Sequence, residues 1–235
     1  MRMKHFLLPL FCAFFSLALH GQKTTEFGIL LGRSYYLGEL NPTTHYGNGI
    51  GNFTYGAAFR YNLNKRYSLK TTLLRTNLQA QDENAELAFN LARQAEFENE
   101  LTEFATNIEF NFLPYEMGSR DHFFSPYLFV GISVYRSKPS ILIQGNEVPE
   151  ADESASTKIA FPFGAGLKLS LGRKLNLSFE WGFRKTSDDN IDGLPNRFLD
   201  LYEQGKDYDN DWYAISAFML TYQLSDKGPC PAYNF

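Results

Sequence analysis

The sequence SDKGPCPAYNF at the C-terminus holds Cys230, one of the two cysteines of this 235-residue chain. The other, Cys12, lies in an apolar run near the N-terminus. A thiol can bind a metal or act as a nucleophile, but both uses need histidine or further cysteine partners. The tail supplies neither. We therefore interpret Cys230 as a residue that forms a disulfide with another chain or stays a free thiol.

A second candidate for chemistry is the acidic sequence DDNIDG. Asp188, Asn190, Asp192 and Gly193 match the first half of the calcium-loop pattern D-x-[DN]-x-[DN]-G. The glutamate expected at the twelfth position is replaced by Leu199. We interpret this segment as a polar surface loop and predict no metal site, with weak divalent binding as the open alternative.

Residues for catalysis are sparse. His45 and His122 are the histidines outside the first 21 residues, and no cysteine–histidine set has metal-ligand spacing. The glycines of GNGIGNFTYG lead from a loop into a strand pattern, so they lack the strand–turn–helix context of a dinucleotide site. We predict no catalytic, metal or cofactor-binding residue and no enzymatic activity. The composition also predicts no binding to nucleic acid.

Residues 1–21 have the pattern of a secretory signal peptide. Arg2 and Lys4 precede an apolar run from Phe6 to Leu19, and Gly21 offers a small cleavage residue. A transmembrane anchor is the alternative, but such a helix needs about 20 apolar residues. Removal of this segment would change the net charge from −4 to −6 and leave Cys230 as the single cysteine.

The rest of the chain alternates with period 2, which is the pattern of β-strands. In KLNLSFEWGFR, residues such as Phe179 and Trp181 share one face, while Glu180 and Gly182 share the other. One face is therefore apolar and aromatic, and the other is small, polar or charged. The eight alternating segments are 26–38, 54–63, 66–76, 101–113, 124–135, 158–171, 175–185 and 211–224.

The connections between these segments are alternately short and long. This asymmetry is typical of outer-membrane barrels, which have short periplasmic turns and long extracellular loops. We predict an all-β fold, an eight-stranded antiparallel transmembrane β-barrel over residues 22–224, followed by a periplasmic tail at 225–235. The acidic segment 82–100 falls in a long connection, where we expect a short surface helix or an extended hairpin.

The alternative fold is a soluble β-sandwich or lipocalin-like barrel, because its strands alternate in the same way. The predicted signal peptide, the loop asymmetry and the residues of the polar face favour the membrane barrel. That face carries glycines (Gly28, Gly32, Gly164, Gly166) beside long polar side chains (Arg60, Lys70, Glu103, Asn107, Glu109, Lys168, Glu180, Arg184). We expect these charges to pair and block a narrow lumen, with Glu180 next to Arg60 or Lys168.

Several of these segments, taken in order, resemble the PorG-type outer-membrane protein of the type IX secretion system. The resemblance covers nearly all of the chain after residue 21. It is carried by EFGILLGRSYYLGELNP, ELTEFATNIEFNFLPYE, SPYLFVGISVYRSKP, FPFGAGLKLSL, EWGFRKTSDDNIDG with NDWYAISAFMLTYQL, and the closing CPAY.

This resemblance implies a non-enzymatic barrel in the outer membrane of a Gram-negative bacterium. It implies a partner as well: a ring made by a periplasmic lipoprotein and its own periplasmic partner, which the barrel would anchor to the membrane. The alternatives are a small OmpA- or OmpW-like structural barrel or narrow channel, and an outer-membrane enzyme. Apart from this ring, the expected surroundings of the protein are outer-membrane lipid.

An even number of strands returns the C-terminus to the side on which the N-terminus enters, so the tail is expected in the oxidising periplasm. We expect Cys230 to form an interchain disulfide with the ring-forming lipoprotein. Pro229 and Pro231 would keep the thiol in an extended segment, and Tyr233 and Phe235 would contact the partner. A free thiol on a disordered tail is the alternative.

Overall fold

The computed structural model describes residues 23–37, 51–81, 95–143, 146–147, 155–187, 191 and 212–224. The regular elements of these residues are nine β-strands. The strands are β1 Thr24–Leu37, β2 Asn52–Asn62, β3 Tyr67–Gln81, β4 Ala95–Asn111, β5 Phe124–Ile143, β6 Asn146–Glu147, β7 Ser156–Ser170, β8 Leu175–Thr186 and β9 Trp212–Gln223. Within the described ranges, no helix has the length and apolar character required to span a membrane.

Eight of the strands form a closed antiparallel barrel. The pairing order is β4-β3-β2-β1-β9-β8-β7-β5, and β4 also pairs with β5, which closes the ring. The first and last strands pair along their length, from Glu26 with Gln223 to Leu37 with Trp212. The two-residue β6 extends only the end of β5. The predicted fold class is therefore confirmed.

The two ends of the barrel differ in how their strands are connected. At one end, residues 63–66, 112–123 and 171–174 join β2 to β3, β4 to β5 and β7 to β8. We call this the short-turn end. β1 begins and β9 finishes there, and the Leu224 amide donates to the Thr25 carbonyl at 2.8 Å. The opposite, long-loop end carries the connections 38–51, 82–94, 144–155 and 187–211.

Three strands are longer than the sequence pattern predicts. β3 continues to Gln81, β4 begins at Ala95 and β5 continues to Ile143. Residues 95–100 form the first part of β4, so the helix that we expected over 82–100 is wrong for these six residues. The hairpin alternative is right there, and residues 82–94 lie outside the described chain.

The physical reason is a reversal of polarity along these strands. Leu78 and Phe97 face inward, whereas Gln79 and Glu98 face outward and share a hydrogen bond of 3.2 Å. The sequence pattern required apolar residues on the outer face of each strand, so it predicted strands that end before the real ones do.

The exterior of the barrel is apolar over most of its height. The exposed side chains include Phe27, Ile29, Leu31, Phe104, Ile108, Val130, Ile132, Phe161 and Phe218. The inward face carries the charged residues. Trp181 is exposed and Glu180 is buried, so the predicted register of β8 is correct. A protein with an apolar outer surface and a charged interior is suited to lipid, because apolar area is stable against hydrocarbon rather than water.

Candidate functional site

The lumen contains a cluster of six buried charged side chains, each contributed by a different strand. Because side chains alternate along a strand, the inward positions of β1, β2, β3, β4, β7 and β8 converge on one level near the short-turn end. We call this cluster the ionic layer. Its members are Glu26, Arg60, Lys70, Glu109, Lys168 and Glu180, all at most 4% exposed.

Glu109 is the centre of the ionic layer because three cations contact its carboxylate. Arg60 Nε donates to Oε2 at 2.9 Å, and Lys168 Nζ donates to the same atom at 2.6 Å. Lys70 Nζ lies 3.3 Å from Oε1. A buried carboxylate is costly unless it is paired and hydrogen-bonded, and here both conditions hold.

Glu26 holds the other side of Arg60. The Arg60 Nη1 group donates to Glu26 Oε2 at 3.0 Å. The Thr221 hydroxyl donates to that oxygen at 2.6 Å, and Asn62 Nδ2 donates to Oε1 at 2.6 Å. The guanidinium of Arg60 on β2 therefore bridges carboxylates from β1 and β4, and so links strands that do not pair with each other.

The remaining carboxylate, Glu180, pairs with Lys70 and accepts a hydrogen bond of 2.9 Å from the Tyr127 hydroxyl. Aromatic faces complete the cation contacts. Lys168 Nζ lies 4.6 Å from the Tyr127 ring centroid, and Lys70 Nζ lies 4.7 Å from that of Phe129. Such distances allow cation–π attraction.

Phe129 fits inside the wall because the facing positions on β7, which pairs with β5, and on β8, the next strand, are glycines. A Cβ atom added at Gly182 would lie 2.4 Å from its Cζ atom, and one at Gly164 would lie 2.8 Å from it. Both distances are far inside van der Waals contact. The glycines of the polar face therefore make room for the aromatic filling of the lumen.

A further ion pair lies closer to the long-loop end. Arg184 Nε is 3.4 Å from Glu103 Oε2, and the Tyr213 hydroxyl donates to that same carboxylate oxygen. Arg184 Nη1 also donates to the Gly182 carbonyl at 2.8 Å. Together with the ionic layer, the described lumen holds four buried cations and four buried carboxylates, so its formal charge is zero.

Around this pair and beyond it, towards the long-loop end, the lumen is filled by apolar and aromatic side chains. Leu74 lies opposite Glu103 and Tyr213 lies opposite Arg184, whereas Met219 lies opposite Ser178, next to the ionic layer. We call this cluster the apolar layer. It comprises Leu30, Tyr36, Leu74, Leu78, Phe97, Leu101, Tyr135, Ile191, Tyr213, Ile215 and Met219. Tyr36 and Phe97 meet edge to face with ring centroids 4.7 Å apart. The Ile191 carbonyl accepts a hydrogen bond of 2.6 Å from Asn99 Nδ2, which fixes this residue of the β8–β9 connection inside the mouth.

The short-turn end is closed from below by residues 112–123, the longest of its turns. The Tyr115 amide donates to the Lys65 carbonyl at 2.9 Å, and the Gly118 amide donates to Ser170 Oγ at 3.0 Å. The turn thus crosses from the β2–β3 side to the β7–β8 side. Gly118 has φ +78°, a conformation that favours glycine. Tyr115 and Met117 are buried beneath the ionic layer, and burial raises the pKa of the Tyr115 phenol.

The structure places every charged residue predicted for the polar face in the lumen, but the pairing is partly different. Glu180 pairs with Lys70, whereas pairing with Arg60 or Lys168 was expected. Arg60 and Lys168 pair with Glu109 instead, which lies at their level of the barrel. Sequence reasoning missed Glu26 and the whole apolar layer. The inward parity set by Lys70 leads to Leu74 and Leu78, and this signal could have found part of that layer.

The other predicted residues are outside the described chain. These are the signal peptide, Cys230 with Pro229, Pro231, Tyr233 and Phe235, His45, and Asp188, Asn190, Asp192 and Gly193. His122 lies in the turn at the short-turn end. Among the residues that the structure describes, no group of three histidine, cysteine or acidic side chains could hold a metal ion.

The closed pairing, apolar exterior and charged interior define a transmembrane β-barrel with a filled lumen. The chain belongs to the family described as a domain of unknown function, DUF6089, whose model matches residues 4–234. No curated protein matches the chain.

Three of the solved structures that are similar to this chain come from bacterial proteins. The Neisserial surface protein A shares 10% identity at a TM-score of 0.45, with 86% of this chain and 97% of that one covered. Ail, the attachment invasion locus protein of Yersinia pestis, shares 11% identity at a TM-score of 0.44, with 86% of this chain and 97% of that one covered. The N-terminal β-barrel domain of Pseudomonas aeruginosa OprF shares 12% identity at a TM-score of 0.42, with 83% of this chain and 96% of that one covered.

Proposed function

We propose that this protein is a non-conducting structural barrel of the outer membrane of a Gram-negative bacterium. The observation that carries the proposal is the filled lumen. From the short-turn end to the long-loop end, the barrel is filled by the turn 112–123, the ionic layer and the apolar layer. Eight strands leave an interior just wide enough for side chains, and here side chains occupy it.

The charge balance of the lumen is also that of a plug. A cation pathway needs carboxylates that are not already neutralised, and an anion pathway needs free cations. In the ionic layer each carboxylate already contacts at least one lysine or arginine. An ion crossing the barrel would have to break several buried ion pairs, each of which is costly to separate at low dielectric.

Planar-bilayer recording of the refolded protein tests this role. We expect no stable conductance steps, with a water-filled porin incorporated under the same conditions as the positive control. The variant Glu109→Ala should remain closed as well, because Tyr115 and the apolar layer still cover both sides of the resulting space. Steady single-channel steps from the wild-type protein would instead establish the narrow-channel role.

We propose as a second, finer candidate that the barrel anchors the periplasmic ring of a type IX secretion system. The sequence resemblance and Cys230 support this role. β9 finishes at Gln223 at the short-turn end, and Leu224, the last described residue, bonds there to Thr25 at the start of β1. In this proposal that side faces the periplasm, and Cys230 forms a disulfide with the ring-forming lipoprotein.

The disulfide is tested on non-reducing gels of isolated outer membranes. The expected result is a higher-mass band that disappears with reductant and in the variant Cys230→Ser, while the heat-modifiable barrel band stays. Tyr233→Ala with Phe235→Ala, which spares the thiol, separates covalent from non-covalent attachment. If the wild-type protein runs only as a monomer with a maleimide-reactive thiol, the tether does not exist, and the structural-barrel role is unaffected.

A further inference from the structure

The surface of the short-turn end carries a ring of cations. We call it the basic rim, and it consists of Lys23, Lys65, Arg66, Arg120, Arg173 and Lys174. These residues come from the start of β1 and from all three short turns, so they surround the barrel axis. Among the described residues on this surface, the acidic side chains are Glu116 and Asp121, and Glu116 is paired with Lys65 at 2.8 Å.

A girdle of exposed apolar side chains lies directly above the basic rim. It includes Tyr67, Phe112, Phe123, Leu171, Leu175 and Leu224. Arg66 precedes Tyr67, Arg173 follows Leu171 by two residues, and Lys174 precedes Leu175. Cations at this distance from a lipid-facing belt lie at the level of lipid headgroups, where aromatic and basic side chains of membrane proteins meet the interface.

The rim is not the result of a general excess of basic residues. The chain as a whole has a net charge of −4. The four long connections at the opposite end contain sixteen acidic residues and three basic ones. The short turns together with Lys23 carry six basic and two acidic residues, so the balance of charge is reversed between the two sets of connections.

We propose that the basic rim is a binding surface for anionic phospholipid headgroups in the leaflet next to the short turns. The distribution of the cations favours lipid over an acidic protein, because a docked protein would cover one side, whereas lipids surround the barrel. Arg66 is already braced, with its guanidinium donating to the Phe112 carbonyl. Lys23, Arg120 and Arg173 are exposed and available to phosphates. The proposal needs only the membrane barrel and holds for either role above.

The test counts lipids retained by the protein. Wild-type barrel is placed in nanodiscs of phosphatidylglycerol and phosphatidylethanolamine in equal amounts, released, and analysed by native mass spectrometry. The rim variant carries Lys23→Gln, Arg120→Gln and Arg173→Gln. A matched control removes three exposed cations at the long-loop end with Arg33→Gln, Arg136→Gln and Lys138→Gln. Heat-modified migration on gels confirms that each variant is folded.

The expected loss of preference for the anionic lipid is about fivefold for each rim charge removed, or roughly a hundredfold in the triple variant. The control variant should keep the wild-type preference, and high salt should reduce it. Equal retention of both lipids by the wild type would overturn the proposal. So would an unchanged preference in the rim variant. Loss of a co-purified periplasmic protein in that variant, with lipid retention unaltered, would assign the rim to protein docking instead.

Discussion

The two layers of the lumen fill the same barrel by different physical means. In the ionic layer, six long side chains satisfy one another through contacts such as Arg60 with Glu109 at 2.9 Å. In the apolar layer, side chains such as Leu74, Leu101 and Met219 fill space and need no partner. The ionic layer depends on complementarity between specific pairs, whereas the apolar layer depends on volume. Single substitutions should therefore be most costly where charge is shared.

Removing the shared carboxylate should have the largest effect. Glu109→Gln leaves Arg60, Lys70 and Lys168 with two carboxylates between them, so one buried positive charge has no counterpart. Breaking a buried ion pair by removing one partner costs about 3–5 kcal/mol. We expect a loss of that size in the free energy of unfolding, measured by urea titration in lipid vesicles. A loss below that of Thr106→Ala, at a half-buried position facing outward on the same strand, would show that the layer is not coupled.

The apolar layer should lose stability through a cavity instead. Leu101 is completely buried, and Leu101→Ala removes three carbons from this packed site. Large-to-small substitutions of this kind cost about 2–5 kcal/mol. The same urea titration measures the loss, and Leu101→Met should recover most of it, because volume rather than identity matters there. A Met variant as unstable as the Ala variant would contradict that view.

The sequence predicted the ionic layer better than the apolar layer. The reason is that the two faces of a strand differ in polarity at the level of the ionic layer in the way expected of a membrane barrel. Arg60, Glu109 and Lys168 alternate with apolar residues, so period 2 assigns them to the lumen. Leu78 and Phe97 alternate with polar residues that face water rather than lipid. The same apolar residue types thus mark the outside of the barrel at one level and its inside at another. Only the height of the membrane boundary separates the two cases, and a strand pattern does not contain it.

The sequence also could not predict which carboxylate pairs with which cation inside the ionic layer. Parity shows that Glu180 faces inward, but the level it reaches depends on the stagger of eight strands around the ring. That stagger brings Glu180 to Lys70 and brings Arg60 between Glu26 and Glu109. The tail residues around Cys230 follow no periodic pattern, and their role stays a prediction from the resemblance.

The ion pair of Arg184 with Glu103, which lies among the side chains of the apolar layer, sharpens the comparison. Arg184 and Glu103 have apolar neighbours, and Glu103 Oε1 is buried without a hydrogen bond among the described residues. Exchanging both for apolar residues, in Arg184→Met with Glu103→Leu, should be neutral or stabilising, by about 1–4 kcal/mol at most. Each single variant should destabilise. A double variant less stable than both singles would show that this level of the lumen requires charge.

The smallest effect is expected at the mouth, where the apolar layer receives Ile191. Asn99 Nδ2 donates to the Ile191 carbonyl at 2.6 Å, and Asn99 Oδ1 accepts from the Lys138 amide at 2.9 Å. Asn99→Ala removes both bonds at a net cost of about 0.5–1.5 kcal/mol each. Because they lie at the end of the barrel, the loss should appear as local opening rather than global unfolding.

Maleimide labelling of Ile191→Cys in a Cys230→Ser background measures that opening. Labelling should be slow with Asn99 present, about tenfold faster with Asn99→Ala if one such bond controls the opening, and unchanged with Asn77→Ala, which alters a more exposed bond to Glu98. Equal rates in all three proteins would mean that packing in the apolar layer, and not the Asn99 bond, holds Ile191 in the mouth.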